Sequence, residues 1–202
     1  MENKIDYFES KSKSWDMNSS RVQNAKSIAE LIVKNINLSK NMEIMDFGAG
    51  TGLLSYFIAP YVAKIVALDN SPSMLKKFKE KRTEFACATE VLEEDLHEIY
   101  PERKFDGIVS SMTMHHIENI DTLLFGFYQA LHHDGFIALA DLDKEDGSFH
   151  SSNTGVFHYG FDREMLREMA LKVGFREIFF ETASIIEKPH CKFSVFLMIA
   201  KK

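Results

Sequence analysis

The residues best able to do chemistry stand in one short stretch, Asp46-Phe47-Gly48-Ala49-Gly50-Thr51-Gly52. Alternating glycines let the backbone turn tightly and meet a ligand with no Cβ in the way. The spacing is G-x-G-x-G, with an acid two residues ahead, and not the G-x-G-x-x-G of dinucleotide folds. A glycine cluster alone also suits a plain strand-to-helix turn; the acid and the position add content. Asp69 lies about one strand–helix–strand unit further on, where an acid accepts two hydrogen bonds from a ribose diol. A turn acid ahead of a helix is the plainer alternative. Asp95 follows a fainter apolar run beside Glu93 and Glu94. An acid there could accept from an adenine amino group.

A second group is rich in histidine. His115 and His116 follow the apolar run that ends at Ser110. Imidazole, with an unperturbed pKa of about 6.5, suits proton transfer, although one ring could equally cap the next helix and the other face solvent. The stretch from Asp141 to Phe161 carries Asp141, Asp143, His150 and His158. These could converge over an acceptor as bases, or hold a metal through N and O ligands. The histidine spacing matches no firm zinc signature, so no metal is assigned. A polar surface loop is the bland reading. Its length exceeds that of a mere connection, and a lid over the acceptor is the reading adopted.

These residues need a frame. Val22, Ala25, Ile28, Ala29, Ile32 and Val33 recur at helical spacing. Short apolar runs then alternate with amphipathic ones. Strands are predicted at Met42 to Phe47, Ala63 to Leu68, Thr89 to Glu93, Phe105 to Ser110 and Phe136 to Leu142. Helices are predicted from Leu53 to near Pro60, from Ser71-Pro72 into the low eighties, from Ile120 to His133 with Gly135 as a left-handed stop, and from Asp162 to Gly174. Phe175 to Thr182 and Phe193 to Ala200 could close as an antiparallel pair. Such alternation implies an α/β fold, a Rossmann-like open, mostly parallel sheet with helices on both faces. Ligands in such sheets bind beyond the carboxyl ends of the strands, where the residues singled out above fall.

Composition narrows the classes. The chain has 202 residues, 45% hydrophobic and 27% charged, which suits one globular domain across 1–202. The expected parts are an N-terminal lid and helices over 1–35, a cofactor-binding core over 36–142, and an acceptor-side loop, helix and strand pair over 143–202. A net charge of −6 argues against a nucleic-acid partner. Cys87 and Cys191 form no CxxC pair. No apolar signal core or membrane-length run is present, so a cytoplasmic location and no membrane insertion are expected. Oligomeric state stays open. The polar N-terminal segment carries Tyr7, Phe8, Trp15 and Met17, which suits a flap that excludes water from a cleft.

The stretch Asp46 to Gly52, with Asp69 and Asp95, resembles the class I S-adenosylmethionine-dependent methyltransferases, and within them the small-molecule enzymes related to the quinone-biosynthesis C-methyltransferases. Asp69-Asn70-Ser71-Pro72-Ser73-Met74-Leu75, Phe105 to Ser110, and Leu131 to Phe136 fit the same pattern. The resemblance implies a seven-stranded sheet in the order 3-2-1-4-5-7-6 and S-adenosylmethionine as cofactor. It places Gly48, Ala49, Gly50 and Gly52 against the methionine portion, Asp46 near the ammonium, and Asp69 on the ribose. Asn70 and Met74 fall near the adenine, Asp95 and the Leu96 amide on its edge, and Ser111 on the cleft wall. His115, His116, His150 and His158 become acceptor-side candidates, and the acceptor a small molecule. No Asn-Pro-Pro-Tyr-like tetrapeptide follows strand four, which weakens nucleobase or glutamine amino methylation. The alternatives are a non-catalytic cofactor-binding protein of the same fold and, behind it, an NAD-dependent oxidoreductase, which Asp69 would also suit but the glycine spacing would not.

Overall fold

The computed structural model describes residues 6, 8–94, 103–189 and 191–202. A short helix α1 (Glu9–Ser12) leads through a 3-10 turn to α2 (Ser19–Asn35), whose first turn is capped by Asn18. The sheet then builds in sequence: β1 (Glu43–Phe47), α3 (Leu53–Ile58), β2 (Lys64–Asp69), α4 (Pro72–Glu80), β3 (Ala88–Glu93), β4 (Phe105–Ser111), α5 (Ile120–Ala130) and β5 (Leu131–Leu142). Helix α6 (Arg163–Val173) and the pair β6 (Arg176–Glu187) and β7 (Lys192–Lys201) complete it.

The seven strands lie in the order β3-β2-β1-β4-β5-β7-β6. β1 to β5 run parallel, while β7 pairs antiparallel with both β5 and β6. Parallel strands covered on both faces must be apolar on both, and Ile44, Met45 and Phe47 of β1 are all buried. Met45 and Phe47 pack with Leu124, Phe127 and Leu166 from α5 and α6. Ile44 packs on the other face with Ile28, Ile32, Leu54 and Ile58 from α2 and α3.

Local chemistry explains the helix ends. Ser71 Oγ accepts from the Met74 amide at 3.3 Å, and Pro72 opens α4. Asp162 caps α6 through the Met165 amide at 3.0 Å, and Gly174, at φ 116°, stops it.

Two boundaries differ from the sequence expectation. Helix α5 ends at Ala130 rather than His133, because Leu131 turns extended and pairs with Phe105. Asp134, not Gly135, takes the left-handed conformation, at φ 63°. Strand β6 runs on to Glu187, beyond the expected Thr182. It follows β7 throughout, with register shifts between Arg176 and Phe179 and between Thr182 and Ser184. These shifts break the alternation that marks a strand in sequence.

Candidate functional site

The glycine stretch sits between β1 and α3, at the carboxyl end of the parallel strands. Gly48, Gly50 and Gly52 all have positive φ, at 70°, 56° and 86°. The amides of Gly48 and Ala49 both donate to the Leu68 carbonyl, which ties the loop to β2. Around the Gly50 position no atom lies within 4 Å of where a Cβ would stand. The loop therefore presents bare backbone to open space there.

Two acids stand beside this opening. Asp46 is 1% exposed and accepts from Ser55 Oγ at 2.6 Å. Burial, with a smaller contribution from the charge of Asp69, pushes its carboxyl up to about 7. Asp69 accepts from the amides of Gly50 (2.7 Å) and Ser71 (2.8 Å). Burial still raises its pKa, against the pull of those amides. Among the described residues neither acid has a Lys or Arg partner. Both are thus poised for a ligand that brings positive charge, and Asp69 retains lone pairs beyond those its amides use. A cationic nucleoside such as S-adenosylmethionine fits this donor and acceptor set.

Of the other positions singled out for a cofactor, Asn70 is exposed, Met74 is buried in the core, and Ser111 ends β4 half-buried. Asp95 and Leu96 lie outside the described residues, as does Tyr7.

The N-terminal segment lies over this end of the sheet. Asp6 accepts from Ser71 Oγ (2.8 Å) and from the Ser73 amide (3.0 Å) at the start of α4. Asp16 accepts from Thr51 Oγ1 at 2.5 Å and pairs with Lys81. Phe8 meets Trp15 and His116 edge-on, at 5.9 and 5.7 Å between ring centroids. Met17 is 83% exposed and contributes nothing to the cover, unlike its aromatic neighbours. Neither Asp6 nor Asp16 stood out in sequence, since a polar segment offers no periodicity to select them.

The histidines assemble next door. Thr113 packs on Gly48, with its Oγ1 at 3.4 Å from the Gly48 carbonyl, and a short 3-10 turn, Met114–His116, follows. His115 is 2% exposed, and its Nδ1 lies 2.7 Å from Asp141 Oδ1. Asp141 also accepts from the backbone amides of His115 (3.2 Å) and Leu142 (2.8 Å). Burial would raise its pKa, but the facing His115 and these hydrogen bonds hold it below the ordinary carboxylate value.

The His116 and His150 rings stand 4.2 and 4.9 Å from that of His115. His116 Nδ1 bonds the Gly155 carbonyl at 2.6 Å. Burial, reinforced by neighbouring His115, pushes His116 down to about 4, and His150 falls to about 4 for the same reasons. Both are neutral imidazoles at neutral pH. Among the described residues, buried His150 Nε2 has no hydrogen-bond partner, nor has Glu145 Oε1 in the same loop.

His158 and Asp143 stand apart from this cluster. His158 Nε2 bonds the carbonyls of Ile117 (2.9 Å) and Glu118 (3.2 Å), pinning the loop to the segment between β4 and α5. Asp143 is gripped by Arg163 through two bonds of 2.6 and 2.7 Å. No group of three His, Cys, Asp or Glu among the described residues is arranged to hold a metal ion. No helix among them is long and apolar enough to cross a membrane.

Residues 44–135 match the family described as a methyltransferase domain. An uncharacterized methyltransferase of Schizosaccharomyces pombe is 33% identical over 144 residues, covering 63% of this chain and 51% of that protein. The chain thus spans about half the length, or less, of the first curated relatives it matches. Magnesium protoporphyrin IX methyltransferase of Synechocystis, solved with bound S-adenosylhomocysteine, superposes with a TM-score of 0.72 at 17% identity, over 98% of this chain and 97% of that one. Phosphoethanolamine N-methyltransferase 2 of Haemonchus contortus, in complex with S-adenosylmethionine, gives a TM-score of 0.68 at 16% identity, over 98% and 60%. The family match is carried by residues 44–135, and the superposed structures share the fold of this chain.

Proposed function

We propose that the chain is an S-adenosylmethionine-dependent methyltransferase that moves a methyl group onto a small-molecule acceptor by in-line displacement. The observation that carries this reading is the pair of buried acids, Asp46 and Asp69, standing beside an open glycine turn with no cation partner among the described residues. The cofactor supplies an electrophilic methyl group on a positive sulfonium. Asp46 would offset its ammonium charge, directly or through water, and Asp69 would take the ribose hydroxyls. Gly48, Ala49, Gly50 and Gly52 would line the methionine portion, Asn70, Met74, Asp95 and Leu96 the adenine end, and Ser111 the wall between cofactor and acceptor. His115, His116, His150 and His158 would form or brace the acceptor side.

In this reading residues 1–35 form the N-terminal lid and helices, 36–142 hold the cofactor, and 143–202 complete the acceptor side of one domain. The kinship with quinone-biosynthesis C-methyltransferases and a cytoplasmic location are part of the same proposal. Rate acceleration comes chiefly from positioning, for which effective molarities reach about 10⁵–10⁸ M in favourable systems.

The test is calorimetric titration with S-adenosylhomocysteine beside NAD. Binding of the first and not the second is the expected outcome. Binding of NAD alone would overturn the proposal, and binding of neither would favour a relative that kept the fold without the chemistry.

A further inference from the structure

The histidine cluster contains more chemistry than holding a cofactor needs. Methyl transfer requires a base only when the attacking atom carries a proton. Here a buried carboxylate spends three hydrogen bonds on one imidazole and the backbone around it. Asp141 receives His115 Nδ1, the His115 amide and the Leu142 amide. With Nδ1–H facing the carboxylate, the tautomer is fixed and the Nε2 lone pair is left to act.

The surroundings limit what that lone pair meets. His116 and His150 flank the ring as neutral groups. The nearby cations are occupied: Lys188 donates to the Phe149 carbonyl and lies 4.1 Å from that ring's centroid, and Lys11 sits 5.6 Å over Phe8. Among the described residues, an acceptor arriving as a carboxylate or thiolate would find no free counter-charge here, and it would need no base. An ammonium acceptor would need an anion, yet Asp141 is already engaged and Glu145, the other carboxylate nearby, already faces the charge of Lys188. A hydroxyl both donates and accepts, and so satisfies His150 Nε2 in either tautomer. That nitrogen is buried and unpartnered, and burial without a partner is costly.

We propose that His115 is the catalytic base, held by Asp141 as its positioning residue, and that the acceptor is a neutral hydroxyl compound methylated on oxygen. The assignment rests on the methyltransferase reading above and names its substrate class. The acceptor O–H gives its proton to His115 Nε2 as the oxygen lone pair forms the new O–CH₃ bond. The S–CH₃ bond breaks with its electron pair remaining on sulfur, which leaves as a neutral thioether. The imidazolium then returns the proton to water. Thr113 on Gly48 and Asp141 at the end of β5 set this base beside the glycine turn.

The experiment uses the full chain with catechol and phenol as hydroxyl probes and thiophenol, largely ionised at neutral pH, as the comparison. Asp141→Asn should lower kcat on catechol by about 10²-fold or more. KM and the affinity for S-adenosylhomocysteine should stay within about twofold of wild type. His115→Ala should lose the same activity and regain part of it with added imidazole, which a merely structural histidine would not do. Should Asp141→Asn fail to fold, the rescue of His115→Ala decides. Methylation of thiophenol but neither hydroxyl probe would overturn the assignment, as would equal turnover of catechol by wild type and Asp141→Asn. Methylation of no probe by a protein that binds S-adenosylhomocysteine would also overturn it while leaving the methyltransferase reading intact. Failure to bind S-adenosylhomocysteine at all would instead remove that reading.

Discussion

The two sides of the candidate site are built by different means. The glycine side is made of main chain: left-handed residues, amides tied to Leu68, and an open position at Gly50. The histidine side is made of side chains drawn from three separate stretches, His115 and His116, Asp141, and His150, which meet only in the fold. The first is encoded locally and tolerates little change in backbone. The second depends on packing and on where protons sit. The electrostatics differ in sign as well. Burial loads the glycine side with protonated or costly acids and the histidine side with neutral imidazoles.

The contrast can be broken most forcefully at Gly52. A Cβ there would stand 2.6 Å from the Phe78 ring at φ 86°. Gly52→Ala should therefore cost about 3 kcal/mol or more, read as a fall in the denaturation midpoint. Gly50→Ala meets no neighbour and should cost only about 1–2 kcal/mol, while weakening S-adenosylhomocysteine binding at least about tenfold. Equal effects of the two on stability would erase the distinction between a packed and an open glycine. Next comes Asp69→Ala, expected to lower that affinity about 10- to 100-fold through lost charged hydrogen bonds. Unchanged affinity by calorimetry would remove Asp69 from the ribose role.

Acid titration sharpens the same contrast. Folded Asp46 keeps its proton up to about 7, whereas an unfolded one loses it near 3.8. Its stabilising contribution is therefore full below 3.8 and is lost as pH rises to 7. His116 and His150 act oppositely: unfolded rings take protons near 6.5 and folded ones at about 4, so their contribution is full above 6.5 and is lost as pH falls toward 4. Melting temperature followed from pH 4 to 7 should thus rise more steeply with pH in Asp46→Asn and less steeply in His116→Gln. Parallel curves for both variants and wild type would refute the assignment of these shifts. The smallest effect belongs to Met17→Ala, which should stay within about 0.5 kcal/mol of wild type in chemical denaturation because the residue is 83% exposed.

How far the sequence carried depends on which half is considered. Asp46 to Gly52 and the cap at Ser71 are contiguous, and turn and cap chemistry is short-range, so the loop and the start of α4 could be read directly. The sheet order came only with the family resemblance, and the structure has that order. The pairing of His115 with Asp141 spans 26 positions and leaves no periodic trace. Asp141 and Asp143 looked alike in sequence. Asp141 lies within β5 and meets His115, whereas Asp143 stands just past the end of that strand, where Arg163 grips it. The end of α5 escaped because Leu131 is equally apolar in a helix or a strand, and its pairing with Phe105 decides.

One strap touches both halves. Asp16 reaches Thr51 in the glycine turn, and Phe8, a few residues before it, lies on His116. Its polar anchors, Asp6 on α4 and Asp16 on Lys81, are weak one by one and screened by salt. A donor molecule and an acceptor molecule seated there would both meet this strap. Their residence times would then be linked, each shortened by whatever loosens the strap, and the step that limits turnover could be a departure rather than a bond being made.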